Sequence, residues 1–262
     1  MATHTKDFGK ITTNVFENDS DYKKNAGYHN SIYRGKYLGT APTADMYSEI
    51  SAGTFGDLFI GDYFAASANA ELKWVIAAFD YWLHCGDTEC TAHHVVIVPS
   101  KCLDTQKMND SSTTTGGYYG SKMYSTNLAT AKSTINTAFG SAHILSHKAL
   151  LTNAVASDKA SGWAWYDSTV DLMNESMVYG HPAWGAHHGY ETAIDKGQLP
   201  LFALEPGAVV ANGPAAGAGR ASWWLRDVVS GTNFAFVTTN GYAYSYGAEN
   251  AFGVRPAFGI RA

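Results

Sequence analysis

The stretch from Trp223 to the C-terminus constrains this chain more than any other. It holds four short runs of β-branched and aromatic residues, at 223–229, 234–238, 242–246 and 254–260, separated by polar or glycine-containing breaks. Such runs suit pleated strands, because branched and ring side chains pack well on a half-buried sheet. Asn240-Gly241 falls between the second and third runs. The pair predicts a type I′ hairpin turn, in which both central residues need positive φ.

Upstream, helical and strand patterns alternate. Residues 43–50 suit a helix capped by Thr43 and closed by Gly53, with Met46, Tyr47 and Ile50 on one face. Residues 57–64 and 72–82 read as a hairpin around a turn at 67–70, and 94–98, ended by Pro99, as a third strand. Residues 113–120 are a Thr-, Gly- and Tyr-rich loop. Leu128, Ala131, Ile135 and Phe139 recur at helical spacing through 126–139, before Gly140 as a cap. A shorter helix is expected from Ser146, and another over 170–179 with Leu172, Met173 and Met177 inward and Gly180 at its end. Residues 180–219 read mainly as loop, and the polar start of the chain as an arm. The expectation is an α+β fold with an arm or oligomerisation segment over 1–52 and a ligand-binding domain over 53–262.

Composition narrows the function. With 45% hydrophobic and 16% charged residues, the 262-residue chain has the means to build a core and is unlike a disordered one. A net charge of −5 with scattered Lys and Arg gives no attraction for phosphate backbones or anionic lipid, so neither nucleic acid nor membrane is expected as a partner. No apolar run reaches membrane-span length, and the N-terminus lacks a signal-peptide core, so a soluble protein made in the cytoplasm is expected. Cys85, Cys90 and Cys102 are an odd count and are expected as free thiols. The chain is rich in aromatic residues, with 16 Tyr, 12 Phe and 7 Trp, alongside 26 Gly. Tyr and Trp give large contact area at small rotamer cost, which favours recognition over catalysis.

The chemistry-bearing residues do not form a reactive group. His93 and His94 are adjacent on a strand and point to opposite faces. His181, His187 and His188, with Glu191 or Asp195, are a closer approach to a metal site but lack His-x-x-x-His or Cys-x-x-Cys spacing. Cys85 and Cys90 match no redox or zinc spacing, and no Gly-x-Ser-x-Gly elbow is present. Asp57, Asp62 and Asp80 are expected to cap turns or anchor Arg or Tyr partners. Gly116-Gly117 lacks the lysine of a phosphate cradle, and Glu249 with Asn250 is thin for calcium. No catalytic residue, metal or cofactor is expected.

The motifs Trp224-Leu-Arg-Asp, Phe234-Ala-Phe-Val, Asn240-Gly and Gly253-Val-Arg-Pro-Ala-Phe resemble the ending of C-type-lectin-like domains in phage and prophage proteins, including variable proteins of diversity-generating retroelements. Upstream, Asn30-Ser-Ile-Tyr-Arg-Gly-Lys, Thr115-Gly-Gly-Tyr and Ser161-Gly-Trp-Ala-Trp-Tyr-Asp resemble structural proteins of phages of gut Firmicutes. The resemblance implies a twisted antiparallel sheet, two flanking helices at 126–139 and 170–179, and long loops. It also implies a scaffold of Trp223, Trp224, Arg226, Asp227, Arg255 and Pro256, with the two arginines buried against carboxylates such as Asp227. The ligand-binding positions would be Thr232, Asn233, Thr238, Thr239, Asn240, Tyr242, Tyr244, Ser245, Tyr246, Glu249, Asn250 and Phe252, within a variable region at 221–258. Because Phe234 and Phe236 supply the apolar face, the alternating tyrosines are expected to face solvent.

The same fold serves formylglycine-generating enzymes, which use a late cysteine pair. Here no Cys follows Cys102. The expected function is a non-enzymatic, homo-oligomeric adhesion protein on a phage virion, binding a host cell-surface protein or glycan beside other virion proteins. The alternative is a capsid or tail decoration protein.

Overall fold

The computed structural model describes residues 25–185 and 197–262. The described chain begins with α1 (Ala26–His29) and α2 (Ala44–Ser51), where the Thr43 hydroxyl accepts the Met46 N–H and Gly53 closes the turn at φ 69°. β1 (Tyr63–Phe64) and β2 (Trp74–Phe79) form the expected hairpin, followed by β3 (Val95–Pro99) and β4 (Asp104–Lys107). A π-helical turn (Met123–Asn127) leads into α3 (Ala129–Phe139), which buries Ala131, Ile135 and Phe139 as the spacing requires. Next come β5 (His147–Ala156), β6 (Lys159–Ser168), β7 (Val170–Leu172) and α4 (Glu175–Tyr179). The remainder is α5 (Pro200–Leu204), the short ladder of β8 (Ala211–Asn212) with β9 (Arg220–Ala221), and then β10 (Trp223–Val228), β11 (Asn233–Val237), β12 (Ala243–Gly247), β13 (Ala251–Val254) and β14 (Pro256–Ile260).

These elements make an α+β fold built on two five-stranded sheets, ordered β1-β2-β3-β14-β7 and β12-β11-β10-β13-β4. The central strands β3 and β14 are buried at every position, which is why they read as continuous apolar runs. One large core takes Val95 to Val98, Phe139, Phe258 and Trp223; a smaller one takes Trp224, Phe234, Phe236, Met123 and Tyr118. Each fully buried aliphatic or aromatic side chain contributes about 1.5–3 kcal/mol. Among the described residues, no helix is long and apolar enough to cross a membrane.

The last strand run is split between the sheets. Residues 251–254 pair with β4 in one sheet and residues 256–260 with β3 and β7 in the other, leaving Arg255 at the crossing. Pro256 opens β14, where a missing N–H is tolerated. Arg255 is buried, as expected, but among the described residues no carboxylate pairs with it: Nε donates to the Pro99 carbonyl and Nη1 to that of Val209. Asp227 instead accepts the Glu175 backbone N–H.

Several sequence expectations are corrected. The helix expected from Ser146 is the strand β5, paired along its length with β6 through a turn at Ser157-Asp158, both at positive φ. Conversely, only Gly241 of Asn240-Gly241 has positive φ, so that hairpin is not type I′. Thr238 O accepts the Gly241 N–H and Thr238 N donates to Tyr242 O, giving a three-residue loop closed by a left-handed glycine. The helix expected over 170–179 is β7 followed by the five-residue α4, because Asn174 caps the turn and accepts the Met177 N–H. Of 57–64 only Tyr63 and Phe64 are strand; Asp57 and Asp62 hold Arg34 and Lys36 through ion pairs.

Residues 25–52 belong to the same core, with His29 and Ile50 buried and Asn30 bridging to both polar groups of the Phe79 backbone. Of the expected 1–52 arm, residues 1–24 lie outside the described residues. Within the loop 113–120, Tyr118 is an internal anchor, its hydroxyl donating to the buried Asp171 and accepting the Leu172 N–H. All three cysteines are buried free thiols.

Candidate ligand-binding site

β10 opens with adjacent tryptophans, and the period of two along a strand sends them to opposite faces. Trp223 enters the larger core and donates its indole N–H to Val209 O at 3.1 Å; Trp224 enters the smaller and donates to Gln106 O at 2.9 Å. Register carries this alternation outward, with Phe234 opposite Tyr246 and Phe236 opposite Tyr244. Directly opposed residues share a face. Tyr244 and Tyr246 therefore stand on the same face as the two phenylalanines, contrary to the sequence argument that placed them on the other side.

Their exposure has another cause. β12 is an edge strand, and the smaller core ends at Phe236 and Phe252, whose rings lie 4.6 Å apart. Tyr242, Tyr244 and Tyr246 are 70, 50 and 48% exposed. Phe236 supports the latter two edge-on at 6.1 and 6.3 Å.

Trp184 completes the row. Its indole meets Tyr244 edge-on at 5.2 Å and donates to Ala243 O on the outer side of β12 at 3.0 Å. Half of the ring remains exposed. Glu175, fully buried at the start of α4, fixes the loop that carries it: its carboxylate accepts the backbone N–H groups of Ala183 (2.8 Å), Trp184 (2.9 Å) and Gly185 (2.9 Å). Tyr179 holds the other end of the strand, its hydroxyl donating to Gly241 O at 3.0 Å. Burial, with the nearby Glu175, pushes that phenol well above its ordinary range. Two side chains of α4 thus position an aromatic edge that lies outside it.

The twelve candidate positions divide. Tyr242, Tyr244 and Tyr246 come together with Trp184. Phe252 stands beside them but is half-buried, packed on Trp224 at 4.7 Å and on Phe236, so it supports the face more than it presents one. Ser245 alternates to the other side of β12. Thr238, Thr239 and Asn240 occupy the turn at one end, where Thr238 Oγ1 accepts the Tyr242 N–H. Thr232, Asn233, Glu249 and Asn250 lie at the other end, Thr232 bonded to Asn233 and the Asn250 amide to Gly247 O. The Glu249 backbone amide and the Ser112 hydroxyl lower the Glu249 carboxyl. Trp184 is the residue the sequence reading missed; a lone tryptophan between Ala183 and Gly185 in a loop was its only signal.

Residues 186–262 match a domain of unknown function, DUF6273. The matched stretch holds all twelve candidate positions and the last seven strands, and begins just after Trp184. Curated protein sequences and solved structures gave no match to this chain.

Elsewhere, Asp80 Oδ2 lies 2.7 Å from His93 Nδ1 and Asp80 Oδ1 accepts the His94 backbone N–H, while the His94 ring accepts the Trp82 N–H. His187, His188, Glu191 and Asp195 lie outside the described residues. Among the described residues, no three His, Cys, Asp or Glu side chains converge as metal ligands.

Proposed function

We propose that this chain is a non-enzymatic adhesion protein of a phage particle, with a C-type-lectin-like fold, that recognises a host-surface protein or glycan through Trp184, Tyr242, Tyr244 and Tyr246. The observation that carries the reading is this row of exposed rings, three tyrosines along the β12 edge and Trp184 from the neighbouring loop. Large exposed aromatics are costly to keep in water unless something covers them, and a rigid Tyr and Trp face gives contact area with little entropy loss. The rings are preset by the Glu175 loop and by Phe236 beneath, so binding orders little. The phage setting and the lectin-like fold rest on the C-terminal motifs and the upstream phrases quoted above. Homo-oligomeric presentation on a particle would multiply a weak single-site affinity.

An aromatic edge strand is also a surface on which neighbouring subunits stack, which favours a decoration role as the rival. Flow cytometry of labelled full-length protein on intact gut Firmicutes cells separates the two. Wild-type staining lost in Tyr244→Ser/Tyr246→Ser, with the oligomer unchanged, supports recognition; unchanged staining with a failed oligomer supports decoration.

A further inference from the structure

Arg255 is 2% exposed and, among the described residues, has no carboxylate partner. Nε donates to Pro99 O at 2.8 Å and Nη1 to Val209 O at 3.2 Å, and the guanidinium carbon lies 5.0 Å from the Trp223 ring centre and 5.7 Å from that of Phe202. Carbonyls and rings orient a guanidinium but supply only partial negative charge. A buried cation without a counter-charge costs several kcal/mol. Burial draws its pKa down to about 10, which leaves it charged at neutral pH. Nη2 hydrogen-bonds to no protein group among the described residues.

The space it faces is a cavity of about 350 Å³ with Tyr33, Tyr63, Lys73 and Glu205 on its other walls. Lys73 Nζ sits 4.4 Å over the Tyr63 ring and, among the described residues, forms no ion pair. The Tyr33 ring lies flat against Gly61, where a Cβ would come within 2.3 Å of it, so the glycine makes room for that wall. Burial and the charge of Glu205 raise the Tyr33 phenol.

Two cations and one carboxylate around a small aromatic-walled cavity select a ligand with both an acid and hydrogen-bond donors. We propose that this cavity binds a small hydroxylated carboxylate of the acidic-monosaccharide class, its carboxylate on Arg255 and Lys73, its hydroxyls on Glu205 and its ring against Tyr33. The unused Arg255 Nη2 and the Lys73 ammonium each offer a charged donor to a carboxylate oxygen. A neutral hexose leaves the buried charge unmet. Sulfate meets that charge but offers no donor to Glu205 and is repelled by it. The site is separate from the β12 edge, and neither reading depends on the other.

Isothermal titration of the full chain with glucuronate, N-acetylneuraminate, glucose, acetate and sulfate tests the proposal. At least one of the two acidic sugars is expected to bind about tenfold or more tightly than glucose, acetate and sulfate. Lys73→Met and Arg255→Lys are expected to remove that preference, while Tyr244→Ser/Tyr246→Ser leaves it intact. If Arg255→Lys does not fold, Lys73→Met and Glu205→Gln on the rim carry the comparison. Failure of both acidic sugars at millimolar concentration, equal binding of glucose or sulfate, or a preference that survives Lys73→Met would overturn it.

Discussion

Gly253 sits where the two sheets come closest at the strand crossing. A Cβ there would lie 2.2 Å from Cys102 Sγ and 3.1 Å from Ser222 O, so the residue is fixed by space and not by φ. Gly253→Ala is expected to cost about 1–3 kcal/mol through overpacking, read as a lowered urea midpoint with an unchanged slope. His147 sets a pH limit. It is buried, its ring stacked on Trp82 at 3.9 Å, and desolvation, helped by the charges of His94 and Arg226, pulls its pKa from 6.5 to about 3. Between those values the unfolded chain binds a proton that the folded chain refuses, so stability falls as pH drops through that window and is unaffected above it. Asp171 acts with the opposite sign, because burial raises its carboxyl and the folded state takes that proton first. His147→Phe is therefore expected to reduce the loss of stability between about pH 7 and pH 4, measured by urea unfolding at each. The tyrosines of β12 mark what sequence conveys at this scale. Their spacing by two places them on one face, but which face, and whether it is covered, depends on β12 being an edge.

At the scale of elements, a single carboxylate organises the site from outside it. Glu175→Gln keeps the shape of the side chain but replaces one acceptor oxygen with a donor among three backbone N–H groups. The expected outcome is about 1–3 kcal/mol lost and faster amide exchange over 183–185, with α3 unaffected. Elements with a local signal were legible: the Thr43 cap, the apolar spacing of α3 and the Trp223 and Phe234 runs all formed as read. The β5–β6 hairpin was not, because Ala149, Leu150 and Leu151 suit a helix as well as a strand. Its strand character comes from cross-strand partners such as Leu150 with Trp165 and Thr152 with Trp163. The hairpin turn falls on Ser157-Asp158 while Asn240-Gly241 adopts a wider loop. Turn propensity gave way there to the side-chain bond from Thr238.

Across the whole molecule, β14 sits between β3 and β7 in one sheet and is continuous in sequence with β13 of the other. Two sheets that share one strand run have no seam along which to part, so one cooperative urea transition is expected by both fluorescence and circular dichroism. The α+β class was legible from the alternation of patterns. The two-sheet arrangement was not, since nothing in Gly253-Val-Arg-Pro states that the chain changes sheet at Arg255. The aromatic edge crosses such boundaries too: Trp184 arrives from a loop far from β12 in sequence, and only the folded chain sets it against Tyr244. The proposed contact is between this shared edge and a host ligand. It is tested most directly by cell staining with Trp184→Ala, whose indole holds no core position. Contact through the indole predicts wild-type stability and oligomer with staining reduced about tenfold or more; wild-type staining by that variant and by Tyr244→Ser/Tyr246→Ser would contradict it.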